Sequence, residues 1–154
     1  MPIHSSQSLV IDTNIWIYLS TCGLVDAAFR LASLHVPDLM RTKELLTELT
    51  WQDLEDKGVT FDELTSGSMR ILAEIKDTTR GVSVCDVACL VLSEKMCVPL
   101  VTHDTDLYRL AVKRHASVCN YDAFLELMVQ AAIIDERLRQ TAFETLITLH
   151  MRPQ

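Results

Sequence analysis

The chain has 154 residues, 49% hydrophobic and 23% charged, with 21 acids against 14 lysines and arginines for a formal net charge of −7. A domain of this length buries roughly 68–70% of its unfolded surface, so disorder is excluded and no disulfide staples are needed. No apolar run approaches the roughly 18 residues of a membrane span and no charged-then-apolar leader opens the sequence, so one soluble, cytoplasmic domain over residues 1–154 is expected.

Ser8 to Ile11 is a short apolar run that enters Asp12-Thr13-Asn14, the pattern of a buried strand handing over to a helix. Ile15 to Leu19 begin that helix. After Gly23, the residues Leu24, Ala27, Ala28, Leu31 and Leu34 keep helical spacing, and His35 to Leu39 predict a second strand with Pro37 near its edge. From Arg41 to Asp56 the periodicity predicts one helix, with Leu45, Leu46 and Leu49 on one side and Glu44 and Glu48 one turn apart on another. Gly58 stops it. Val59-Thr60-Phe61 suggests a strand, and Leu64, Ile71, Leu72 and Ile75 mark a further helix.

Ser83 caps a helix from Val84 to about Met96 that is apolar around most of its girth and is therefore expected at the centre of the molecule. Val98 to Thr102 is a strand ending in His103-Asp104, followed by a helix over Leu107 to Arg114 and a last short strand at Ser117 to Cys119. Helices at about 122–128 and 135–149 close the chain. Strands alternating with helices predict an α/β layer fold with a mainly parallel sheet. The core spans about 8–121 and the helical extension about 122–150. The tail, with Ile133, Ile134, Leu138, Phe143, Leu146, Ile147 and Leu149, is expected to cover the sheet or to build a dimer or partner groove.

Five cysteines, at 22, 85, 89, 97 and 119, form no CxxC pair and read as small buried hydrophobes. The net charge argues at first against a nucleic-acid partner, because phosphates are held by lysine and arginine. Its distribution changes that: Glu44 to Glu63 contains seven acids and one base, Lys57, and the remainder carries 14 acids against 13 bases.

In an open parallel sheet the binding crevice lies beyond the carboxyl ends of the strands. Asp12 and Asp104 each follow a strand, and Asp86 lies in the first turn of the most apolar helix. Helix capping explains each of them locally, with Ser83 and Asp86 forming an S-x-x-D capping box. Acids that share one crevice repel each other unless a cation neutralises them, and oxygen-only ligands favour Mg²⁺ or Mn²⁺. Glycine-rich phosphate loops and a D-x-D-x-T nucleophile motif are missing.

Strand-Asp12-Thr13-Asn14, then Glu44 after Pro37-Asp38-Leu39, then Ser83-Val84-Cys85-Asp86, then Thr102-His103-Asp104-Thr105-Asp106 resemble, in that order, the PIN-domain nucleases. The resemblance covers about Leu9 to Tyr121. It implies a three-layer α/β/α sandwich and a metal-dependent endoribonuclease, often the toxin of a toxin–antitoxin module, whose products carry 5′-phosphate and 3′-hydroxyl ends. It places Asp12, Glu44, Asp86 and Asp104 in the acidic quartet that binds Mg²⁺ or Mn²⁺, with Asp106 assisting and Glu48 the alternative to Glu44. Asn14 and Thr102 match polar positions that orient the quartet. His103 is read as a hydrogen-bonding neighbour of the site. Arg109 and Lys113, on one helix face, are candidate RNA-binding residues, although dipole-favoured placement near a helix end accounts for Lys113 equally. Trp16 and Tyr18 either stack bases or belong to the core. Expected partners are RNA, a small antitoxin protein and a second copy of the chain. The alternative is a catalytically silent PIN-like binding module.

Overall fold

Buried apolar runs of three or four residues lie between amphipathic stretches, and they pair as strands wherever helices shield both faces. The computed structural model describes residues 7–44, 46 and 48–148. In chain order they form β1 (Ser8–Ile11), α1 (Thr13–Thr21), α2 (Val25–Leu31), β2 (Ser33–Pro37), α3 (Met40–Lys43), α4 (Trp51–Lys57), β3 (Thr60–Asp62) and α5 (Ser66–Thr78). There follow α6 (Val84–Met96), β4 (Leu100–Val101), α7 (Thr105–Lys113), β5 (Val118–Cys119), α8 (Tyr121–Gln130) and α9 (Glu136–Thr148).

All five strands are parallel, in the order β3-β2-β1-β4-β5. From β1 the chain steps outward through β2 to β3, then crosses back to place β4 on the other side of β1. Right-handed crossovers in opposite directions send their helices to opposite faces. Accordingly α6 packs on β1, β2 and β4 and touches α5 and α7, while α2 lies on β2 with α1 and α8 beside it and α9 against α8. The result is the expected three-layer α/β/α sandwich. Leu9, Val10 and Ile11 of the central strand have no solvent exposure.

The apolar girth of α6 has the predicted consequence, since Cys85 and the six consecutive apolar residues Val87 to Leu92 are all buried. Leu90 sits at its middle with no exposure. Replacing Leu90 by alanine is expected to cost about 2–5 kcal/mol of unfolding free energy, read from urea denaturation, because strand and helix neighbours on every side leave no room to collapse. A loss under about 1 kcal/mol would show that the site can collapse.

Two element assignments are corrected. The helix expected over 41–56 is two: α3 ends at Lys43, Glu44 adopts an extended conformation (φ −121°, ψ 148°), and α4 restarts at Trp51. The restart is encoded by Thr50 and Asp53, which form a reciprocal capping box. β2 begins at Ser33, so Leu34 is a strand residue paired with Leu9 rather than the end of a helix. The other boundaries shift by a residue or two, and Leu149 and Met151 of the tail lie outside the described residues. Among the described residues no helix is long and apolar enough to cross a membrane.

Candidate functional site

The strand order reverses between β1 and β4, and the crevice of such a sheet opens there, beyond the carboxyl ends. β1 delivers Asp12 to that point and β4 delivers Thr102, His103 and Asp104. The backbone fixes them: Asp12 N donates to Val101 O at 3.1 Å and Thr102 N to Cys119 O at 3.1 Å. Asp12 caps α1, its Oδ1 accepting from Thr13 N at 2.8 Å. Its Oδ2 accepts from the Thr102 hydroxyl at 2.9 Å, and that same hydroxyl accepts from Asp104 N at 3.2 Å. One fully buried threonine therefore ties the two acids together.

Asp104 Oδ1 caps α7 through Leu107 N at 2.9 Å. Asp86 Oδ2 accepts from Ser83 N at 2.9 Å while Asp86 N donates to Ser83 Oγ at 3.0 Å, the expected capping box. All three aspartates are thus helix caps. Each cap needs one oxygen, so Asp86 Oδ1 and Asp104 Oδ2 have no protein partner among the described residues.

Capping does not explain the electrostatics. Asp12 is 3% exposed, and burial, then the charge of Asp86 and lastly that of Asp104, push its carboxyl up to about 7 against the hydrogen bonds from Thr102 and Thr13. Asp86 is raised by burial, with Asp104 and Glu44 adding to the shift and the Ser83 hydrogen bonds opposing it. The Tyr18 phenol is raised by burial and then by Asp12 and Asp104. The charges that act most strongly on Asp12 and Asp86 are all carboxylates. An ordinary cap is solvated or paired with a cation; a buried acid among acids is held at a cost.

Glu44 belongs to the same neighbourhood. Its N–H donates to Met40 O at 3.0 Å and its carbonyl accepts from the Trp51 indole N–H at 3.0 Å, which pins the extended turn. Its charge reaches Asp86 and also Cys85, whose thiol is pushed up to about 12 by burial first and Glu44 second. Glu48 does not follow one helical turn on, because the helix has ended; its carboxylate accepts from Ser20 Oγ at 3.3 Å instead. The expectation that the two glutamates point the same way is corrected.

Asp106 lies in the first turn of α7 and reaches back to the turn before α6. A Cβ placed on Gly81, whose φ is +86°, would stand 2.8 Å from Asp106 Oδ2. The change Gly81→Ala is expected to cost about 1–2 kcal/mol for the left-handed backbone, plus a steric part. Adding Asp106→Ala should restore only that steric part, measured as a double-mutant cycle of thermal unfolding.

The remaining candidates divide. Arg109 lines a cleft of about 260 Å³ directly beside Asp104, whereas Lys113, at the last turn of α7, lies one helical turn further from the crevice. Asn14 is exposed in the first turn of α1. Trp16 is core, 1% exposed and tilted against Phe29 at 5.8 Å between ring centroids. Tyr18 is half-buried, edge-on to His103 and Tyr121. His103 does not hydrogen-bond as expected: among the described residues neither ring nitrogen has a partner, burial lowers its pKa against the charge of Asp122, and its ring packs at steep angles to those of Tyr18 and Tyr121.

Two residues of the cleft, Tyr108 and Asn120, escape the sequence reading. Asn120 follows β5 as Asp12 follows β1, and it caps α8 through its Oδ1 to Ala123 N at 2.8 Å. The rule that polar residues after parallel strands face the crevice would have found it.

The donor set fits a hard divalent cation, being oxygen-only and mutually repulsive. Among the described residues no three His, Cys, Asp or Glu side chains are gathered closely enough to hold one ion as they stand, so ligation calls for side-chain rotation about the capped backbones. A comparison with protein-family models finds none that matches the chain, and none of the curated proteins matches it.

Proposed function

We propose that the protein is a PIN-like endoribonuclease that hydrolyses RNA phosphodiester bonds with Mg²⁺ or Mn²⁺ held by Asp12, Asp86, Asp104 and Glu44. The supporting observation is Asp12: a fully buried carboxylate with acidic neighbours and no cation among the charges that dominate it. Protein folds retain such a group when a bound cation relieves it, and a carboxylate crevice at the strand-order reversal is where an α/β sheet binds its ligand. Bound there, the metal supplies activation of water and stabilisation of the charge that develops on the phosphate.

The chain's own contribution is placement. Thr102 fixes Asp12 and the backbone of Asp104 through one hydroxyl. The capping bonds hold Asp86 and Asp104 by one oxygen each, and rotation of the side chains about these anchored positions would turn the other oxygen to a ligand. Arg109, exposed at the neighbouring cleft, is positioned to hold an RNA phosphate. Asp106 and Asn14 are supporting residues of the same crevice. By the same resemblance we propose the toxin of a toxin–antitoxin pair, acting as a homodimer in the cytoplasm with a small antitoxin as partner.

A labelled single-stranded RNA incubated with purified protein is expected to be cut with Mn²⁺, to stay intact with EDTA, and to be cut again when Mn²⁺ is restored in excess. Cleavage that persists in EDTA, or no cleavage across a panel of structured and unstructured RNAs, overturns the reading. The latter result favours the silent binding module, whose one supporting feature is that Asp12, Asp86 and Asp104 all serve as helix caps.

A further inference from the structure

The cleft of about 260 Å³ beside Asp104 is lined by polar side chains and by the rings of His103 and Tyr108. It lies between the start of α7 and the end of β5, so it continues the crevice without a barrier. Arg109 is exposed and has no carboxylate partner among the described residues. Tyr108 is partly exposed. Asn120 spends its carbonyl oxygen on the α8 cap, which leaves its amide as a donor of two hydrogen bonds. His103, 8% exposed, contributes to the lining of the same cleft, but both of its ring nitrogens are buried and have no partner among the described residues.

The geometry points to a nucleobase subsite: one unpaired base next to the scissile phosphate enters this cleft, stacks on Tyr108 and offers a carbonyl or ring-nitrogen acceptor to the Asn120 amide, while Arg109 takes the adjoining phosphate. The proposal rests on the nuclease reading of the crevice. Its size suits it, since the volume lies just below that of ordinary small-molecule sites, roughly 300–1,000 Å³, and so accommodates a single base. Stacking is tolerant of sequence, because every base has a π-face, whereas donors fixed on one wall are not. The cleft therefore both holds RNA and biases where it is cut.

The probes are the four nucleoside 5′-monophosphates, which contain no phosphodiester to cleave, with ribose 5-phosphate as the base-free control, titrated by calorimetry in Mg²⁺ buffer. At least one nucleotide should bind about tenfold or more tighter than ribose 5-phosphate. Tyr108→Ala should weaken that nucleotide by about 5- to 150-fold, and Tyr108→Phe should restore it to near the wild-type value. Asn120→Ser preserves the cap and removes the amide, so it should alter the order of preference among the four bases and shift the map of RNA cleavage sites. Equal binding of nucleotides and ribose 5-phosphate overturns the subsite, as does wild-type nucleotide affinity in Tyr108→Ala. If nucleotides behave as expected while RNA stays uncut, the nuclease reading fails and the base subsite stands; if RNA is cut but no base is preferred, the reverse holds.

Discussion

Replacing Asp12 by asparagine is expected to lower Mn²⁺-dependent RNA cleavage by about 100- to 1,000-fold or more, the scale of removing one group that stabilises transition-state charge, without loss of folded protein. The second half of that expectation comes from the hydrogen bonds. Asparagine keeps an oxygen for Thr13 N, and its amide can donate to the Thr102 hydroxyl, which has a second lone pair beside the one used by Asp104 N. The buried negative charge disappears, and the one bond given up is that of the Thr102 hydroxyl hydrogen, which loses Asp12 Oδ2 as its acceptor. At pH 8 the variant should therefore melt at the same temperature as the wild type or higher. Asp86→Asn should show the same loss of cleavage, because its side-chain oxygen still accepts from Ser83 N and the cap of α6 survives. Unchanged cleavage in either variant at matched purity would remove the carboxylates from the mechanism. A variant that neither folds nor cuts would instead mark the acid as a cap alone, and circular dichroism separates these cases.

Asp12, Asp86 and Asp104 were legible in the sequence because cap and site use the same local signal, a polar residue at the start of a helix after a strand or a serine. That coincidence also limited the reading, since the signal gives the position of each acid along its element and not whether three caps face one another. The parallel order of the sheet brings Asp12 and Asp104 together at the ends of β1 and β4, and α6, packed on both strands, carries Asp86 to where its charge acts on Asp12. Glu44 shows the opposite case. Leucines at 45, 46 and 49 have helical spacing, yet the chain leaves the helix at Glu44 and Trp51 ties its carbonyl from seven residues away. Apolar periodicity records which residues want burial; it does not record where the backbone breaks. The Thr50-x-x-Asp53 capping box did record it, and outweighs the leucine pattern. Asn120 joins Asp104 through β5, a strand of two residues, too short for a pattern to stand out.

Stability as a function of pH should carry the signature of Asp12. Burial and the charge of Asp86 push its carboxyl up to about 7 in the folded chain from an ordinary value of 3.8, so between those limits the native state holds a proton that the unfolded chain has released. A group raised on folding contributes stability that is fully present below about pH 4 and is lost as pH rises through 7, at roughly 1.4 kcal/mol per pH unit. The whole contribution is on the order of 4 kcal/mol, and the difference in unfolding free energy between wild type and Asp12→Asn reports it together with its coupling to Asp86 and Asp104. That difference should swing toward the variant from pH 4 to pH 7 and level off above. Mn²⁺ should reverse the swing, since a cation stabilises the ionised form that burial and Asp86 oppose. At a concentration 100 times its dissociation constant it would add about 2.7 kcal/mol to the wild type, more at pH 8 than at pH 5, and markedly less to Asp12→Asn. Parallel curves for the two proteins between pH 4 and 8, with and without Mn²⁺, would mean that Asp12 is an ordinary solvated cap and that the crevice has no cation to hold.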